Sequence, residues 1–382
     1  MQKFLITSWI FFAVLLLLYS FTQVDLSLTL SQLSIWQEIQ RSFQQIGYFQ
    51  RPLSTLIFLL IAVLMFALYA LTLVQVKKKK ISRRYLFGIV LAISGILFFS
   101  YNAFSYDLFN YIFDAKIFTF YFQNPYFHKP LDFPQDPMLS FMHWTHRVYP
   151  YGPTWLFLTI PLSFFGFNIF LLTFYLFKFL SVVSFVAAAL LIEKIAKKIG
   201  VNSLFAVGVF SLNPLVIIES LVSSHNDIVM VAFGLLSLFM FFERKFFGSL
   251  FWLMVSIGVK FATVFMLPAY FAKKFFEVNN TKFFLILTLS MLVALFLATL
   301  RTTFQPWYFL FVLPFSAFIS EKKYILIPTF VISLSSLIFY APFLYFGNWD
   351  PPIPTYLNAL MISSIVVSIL IVIVVKISNV KH

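Results

Sequence analysis

The sequence predicts an all-α polytopic membrane protein, and three observations predict it. Of its 382 residues 61% are hydrophobic and only 10% are charged, so the exposed face of any fold must be largely apolar. Apolar runs of about 17 to 25 residues follow one another along the chain, each long enough to cross roughly 30 Å of hydrocarbon. In lipid such runs must be helical, because every backbone amide needs an internal partner. Finally, the basic residues cluster in alternate loops: Lys77 to Lys80 with Arg83 and Arg84, then Lys194, Lys197 and Lys198, then Arg244 and Lys245, Lys273 and Lys274, and Lys322 and Lys323. With the N-terminus cytoplasmic these clusters all fall inside, the positive-inside pattern, and the C-terminus is expected inside too. The net charge of +14 therefore reports orientation, and no nucleic-acid partner is expected.

The elements follow in order. Phe4 to Thr22 has a short basic start but no small-residue cleavage pattern, and reads as an uncleaved span. Leu33, Trp36, Ile39 and Phe43 then recur at helical spacing among Gln and Ser, which predicts a helix lying in the membrane interface. Further spans are expected at Leu53 to Val76, Tyr85 to Phe104, Ile169 to Ile192, Ser203 to Ile218, Ile228 to Phe242, Phe283 to Leu300, Trp307 to Ile319, Tyr324 to Tyr340 and Leu357 to Val375. Two apolar pieces break the alternation of sides: Thr154 to Phe167, and Phe246 to Phe271, whose flanking basic clusters make it a hairpin of short helices. The total is about 10–12 membrane helices in one domain, 1–382, with 105–153 as the main extracytoplasmic loop. Cysteine is absent, which excludes thiolate catalysis and thiolate metal sites. The 55 Phe are read as biased composition and lipid-facing surface.

Candidate chemistry gathers in the outer segments. Asp107, Tyr111 and Asp114 fall at i, i+4 and i+7 and share a helix face; at ~1.5 Å of rise per residue the carboxylates are about 10 Å apart, too far to act on one bond. A structural role fits equally, with Asp107 capping the helix and Asp114 paired to a nearby Lys. His143 and His146 have a metal-compatible spacing that no third ligand completes, and no metal is expected. The polar stretch ends at Arg147, and the Pro and Gly residues around Tyr151 then make a rigid turn that starts the next helix. At 225–227, His225, Asn226 and Asp227 precede a helix, and N-capping explains Asp227 better than it explains the other two. Lys260 lies within an apolar stretch, where an ionisable residue suggests function and snorkelling is the alternative. Arg301, Trp307 and Tyr308 add a cation and two aromatics at the interface, where lipid anchoring would also suit them.

Taken in order, Asp107, Asn124-Pro-Tyr126, Tyr149-Pro-Tyr-Gly-Pro153, Leu212-Asn-Pro-Leu215, His225-Asn-Asp227, Val259-Lys260 and Pro306-Trp-Tyr308 resemble the GT-C glycosyltransferases that use polyprenyl-phosphate sugars. The chain is most similar to the bacterial α-1,6-mannosyltransferases of cell-envelope glycans, over roughly Tyr85 to Ile319. Many members carry two adjacent acidic residues where this chain has Tyr106-Asp107, so only Asp107 inherits the catalytic position. The resemblance implies a GT-C-like helical bundle and an inverting transfer of a sugar, expected to be mannose, from a polyprenyl-phosphate donor to a glycan or lipid-linked acceptor on the extracytoplasmic side, and no cofactor is expected. It implies Asp107 as general base, with Lys260, Arg301 and Arg147 at the phosphate. The substrate-binding set it implies also holds Tyr111, Asp114, Tyr151, His225, Asn226, Asp227, Trp307 and Tyr308. A transporter is the rival class, although its polar site would be expected near the midplane between repeats, and no repeat is visible. A lipid-linked oligosaccharide ligase or polymerase would share the outer site.

Overall fold

A computed structural model describes residues 1–378; the C-terminal end expected on the basic side, 379–382, lies outside the described residues. The architecture is all-α, without strands among the described residues. The helices are α1 (Gln2–Phe21), α2 (Ser34–Gln44), α3 (Arg51–Lys77), α4 (Arg83–Leu97), α5 (Asp107–Thr119), α6 (Pro153–Phe165), α7 (Phe170–Ile199), α8 (Ser203–Ser211) and α9 (Pro214–Ile217). They continue as α10 (Asp227–Phe242), α11 (Phe246–Val259), α12 (Leu267–Phe275), α13 (Asn280–Arg301), α14 (Leu313–Ser316), α15 (Lys323–Ile338), α16 (Ala341–Phe346) and α17 (Ile353–Ser378). Six helical segments among the described residues are long and apolar enough to cross a bilayer, and α8 together with the helical segment Pro214–Val222 makes a seventh, bent by 59°. Shorter apolar helices at Pro153–Phe165, Asp227–Phe242, Phe246–Val259 and Pro306–Ile319 complete the bundle.

The two ends of the bundle differ in chemistry. At one end Arg83 pairs with Glu193 at 2.7 Å and Lys198 with Glu243 at 2.6 Å, which gathers three of the basic clusters. At the other, Phe170 at the start of α7 packs on Phe109 of α5 and on Phe141. Because α7 holds 30 residues, about 45 Å of helix separates these ends. The second is the cavity end described below.

Helix α2 is the expected interfacial element. Its apolar residues Leu33, Ile35 and Ile39 are exposed, while Gln40 and Gln44 are buried and donate to the Leu28, Val24 and Asp25 carbonyls. The polar face thus satisfies an irregular loop, and the apolar face is left for lipid. Helix α4 stops at Leu97, short of the expected Phe104, because Ser100 and Asn102 turn their side chains onto nearby carbonyls instead of continuing the helix. The hairpin expected at 246–271 is present. Ser237 of α10 bonds the Ser249 carbonyl and the Tyr270 hydroxyl, so both ends of the hairpin return to one level, with Lys260 at its tip. That tip crosses the 149–153 turn at two glycines. A Cβ on Gly152 would lie 2.3 Å from the Gly258 oxygen, and one on Gly258 would lie 2.1 Å from the Thr154 hydroxyl, so neither position admits a side chain.

Candidate active site

Two breaks in helical structure build the site. After α4, the Asn102 amide donates to the Ser105 carbonyl at 2.8 Å, and the Ser105 hydroxyl accepts the Asp107 backbone N–H at 3.1 Å. Ser105 therefore occupies the N-terminal amide of α5. The Asp107 carboxylate makes no capping bond and is free to turn into the cavity, which removes the capping alternative.

The second break follows α9. Asn213 caps the Leu215 amide at 3.0 Å and opens a short helix that widens into a π turn, Ile218–Val222. Ser224 then takes a left-handed backbone at φ 55°, and the chain reverses into α10. This reversal brings fully buried His225 against α5. Its Nδ1 lies 3.5 Å from Asp107 Oδ2 and its Nε2 lies 3.4 Å from Glu219 Oε2. The imidazole stacks on Trp307 with centroids 4.0 Å apart, and the Tyr340 hydroxyl donates to Glu219 Oε1 at 2.8 Å. Both imidazole nitrogens thus face carboxyl oxygens, at the outer edge of hydrogen-bond distance. Burial raises the Asp107 pKa, but the His225 bond and charge, with the Lys260 charge, outweigh it and hold the carboxyl below its ordinary value.

Asp227 is not the N-cap that its position before α10 predicts. It is the first helical residue, and both its oxygens accept from Lys260 Nζ, at 2.8 and 2.9 Å. Capping loses to the ion pair because an ammonium at the tip of the hairpin needs a carboxylate more than an amide does. Lys260 also lies over the Tyr308 ring at 5.4 Å and reaches the cavity.

These groups border a cavity of about 830 Å³ at the end of the bundle opposite the basic loops. Asp107, Asn110, Asp114, Arg147, Tyr151 and Lys260 supply polar wall, and Arg301, Trp307 and Tyr308 close it from α13 and the segment after it. Arg147 stacks over Trp144 at 4.1 Å. A second wall is apolar, made by Phe304, Phe339, Phe343, Trp349 and Leu357 beside α17. Tyr111, His225, Asn226 and Asp227 lie behind the cavity wall, all fully or almost fully buried; Tyr111 donates to Asn226 Oδ1 at 3.4 Å. The structure thus brings every expected site residue to one region, some lining the cavity and some backing it. His143 stacks on Tyr106 at 3.6 Å. Asp114 is not paired with a Lys: Lys116 is taken by Asp136 at 2.6 Å.

Sequence reasoning missed three groups. Lys178 sits fully buried within α7 and donates to the Leu221 carbonyl, to the Val222 carbonyl at 3.1 Å and to Ser100 Oγ at 2.9 Å. It carries the same signal as Lys260, a lone cation in an apolar run. Glu219 was detectable likewise, as a carboxylate inside an apolar stretch. Asn110 had no such signal, since an amide between Phe109 and Tyr111 is unremarked in any outer segment.

The described residues thus form a polytopic helical bundle whose cavity carries carboxylates, cations and an apolar wall. The comparison with family models is more specific. The alpha-(1->6)-mannopyranosyltransferase N-terminal domain model of the MptA_B family matches residues 11–273, and the chain belongs to that family. No curated protein and no solved structure matches it.

Proposed function

We propose that this chain transfers mannose, with inversion, from a polyprenyl-phosphate donor to a glycan or lipid-linked acceptor at the extracytoplasmic face of the cell membrane. The observation that carries the reading is Asp107, a carboxylate kept ionised beside His225 and Lys260 and turned into the cavity. An acceptor hydroxyl oxygen forms its bond to the anomeric carbon as the bond from that carbon to the phosphate oxygen breaks. Asp107 accepts the hydroxyl proton, since a sugar alcohol is a poor nucleophile while it keeps it. The leaving phosphate carries away the electron pair, and Lys260, Arg301 and Arg147 stabilise its charge. His225, held by Glu219 and Trp307, orients Asp107; Asn226 and Asp227 hold Tyr111 and Lys260 in turn. Tyr151, Trp307 and Tyr308 offer the sugars aromatic surface.

Two features support the donor and the side. The apolar wall beside α17 lets a lipid tail reach the cavity laterally while its phosphate meets the cations. The basic loops lie at the far end of the bundle, which under the positive-inside pattern supports a cavity outside, away from the cytoplasm where nucleotide sugars are made. The test supplies reconstituted protein with polyprenyl-phosphate-mannose or with nucleotide-linked mannose, plus a mannan-type acceptor. Transfer from the lipid donor alone is expected, and transfer from the nucleotide donor alone would falsify the proposal.

A further inference from the structure

Asp114 is 3% exposed, lines the cavity, and has neither hydrogen bond nor ion pair among the described residues. One turn earlier on the same helix, Asn110 donates through Nδ2 to the Trp144 carbonyl at 3.1 Å, while its buried Oδ1 receives no hydrogen bond. The Asn110 oxygen is thus a buried acceptor without a donor, and the Asp114 carboxyl faces the cavity with no protein partner among the described residues, which leaves acceptors on adjacent turns of one wall for a ligand. Burial and the Asp107 charge both push the Asp114 carboxyl up, so the protein does nothing to settle a charge there.

We propose that Asn110 and Asp114 form a hydroxyl-binding subsite for the acceptor glycan, filled by the polyol of the sugar whose hydroxyl is delivered to Asp107. The proposal rests on the reading of Asp107 as the base. Asn110 and Asp114 follow Asp107 by three and seven residues, so they stand about 4.5 and 10.5 Å further along the helix, the reach of one to two pyranose rings. Carbonyl and carboxyl oxygens in such a row select hydroxyl donors, which sugars present on neighbouring carbons. Beside them the Trp144 ring lines the cavity, backed by Arg147, and offers a flat face to sugar C–H bonds. Lys260 and Arg301 belong to the hairpin tip and to α13, away from α5, and Arg147 beside Trp144 stands where the donor phosphate and the acceptor meet.

The experiment measures mannobiose binding to the full-length detergent-solubilised chain by tryptophan fluorescence, together with its melting temperature. Asp114→Leu keeps the bulk and removes the hydrogen bonding; it is expected to weaken binding about tenfold or more, and Asp114→Asn about threefold or less. Both variants are expected to melt at or above the parent, because a carboxyl without a protein partner contributes nothing to the fold. Parent-like binding by Asp114→Leu, no binding by the parent, or a melting temperature several degrees lower in either variant would each overturn the subsite. A parent that binds mannobiose normally but fails to use polyprenyl-phosphate-mannose leaves the subsite standing and removes only the donor assignment.

Discussion

Replacing Asp107 by Asn keeps the size of the side chain and removes the group that takes the proton. The Ser105 hydroxyl, not Asp107, holds the start of α5, so Asp107→Asn should insert and fold as the parent does. Transfer is expected to fall by at least ~10²-fold, the usual contribution of a positioned base. Near-parental turnover would exclude Asp107, since no other cavity carboxylate contacts His225. The pH profile tests the surroundings of the same group. Asp107 acts only when ionised, and its depressed pKa means that activity persists as pH falls until that low value is reached. In His225→Gln the imidazole bond and charge are gone and burial dominates, so the carboxyl pKa rises and the acid limb of kcat/KM should move to higher pH. An unchanged acid limb would show that His225 does not set the ionisation of Asp107. Asp107, His225 and Lys260 were legible in the sequence because each is ionisable in apolar surroundings. Glu219 carries the same signal, but it lies within the π turn Ile218–Val222, and a widened turn changes which residues share a face, so its place beside His225 was not legible.

At the scale of elements, the spans were legible from hydrophobic length, and the breaks between them were not. The site is made by those breaks. Nothing in the apolar pattern says that α9 widens into a π turn or that Lys178, on a different helix, completes it. The turn ends in a reversal that supplies no amide to the Leu221 and Val222 carbonyls; the Lys178 side-chain nitrogen meets both, and Ser100 Oγ reaches the Leu221 carbonyl as well, at 3.4 Å. Lys178→Met leaves two buried carbonyls without that donor, at about 1–3 kcal/mol each. The variant should melt several degrees lower in detergent and lose activity as the His225 loop shifts, while a parental melting temperature would show that the turn holds itself. The hairpin tip gives a second case. Gly258 touches the Gly152–Thr154 turn so closely that Gly258→Val must push Lys260 away from Asp227, and a raised KM for the lipid donor is expected, measured at saturating acceptor. The glycine was visible in the sequence, but its partner, 106 residues away in the chain, could be read only from the fold.

For the whole molecule, the decisive property is which end of the bundle faces the cytoplasm. Charge counts are legible without any structure, and they assign the basic loops inward. The fold adds that those loops and the cavity lie at opposite ends, separated by the length of α7. Neither fact alone bears on the side of the chemistry; together they support the proposed extracytoplasmic site. The absence of cysteine makes the side testable with a clean background, because any introduced thiol is the only one present. Thr303 lies at the cavity and is exposed, whereas Lys79 is exposed in the first basic loop. In intact cells a membrane-impermeant maleimide should label Thr303→Cys and spare Lys79→Cys, which should react only after the membrane is opened. The reverse pattern would turn the bundle over, place Asp107 in the cytoplasm beside nucleotide sugars, and remove the main argument for a lipid-linked donor.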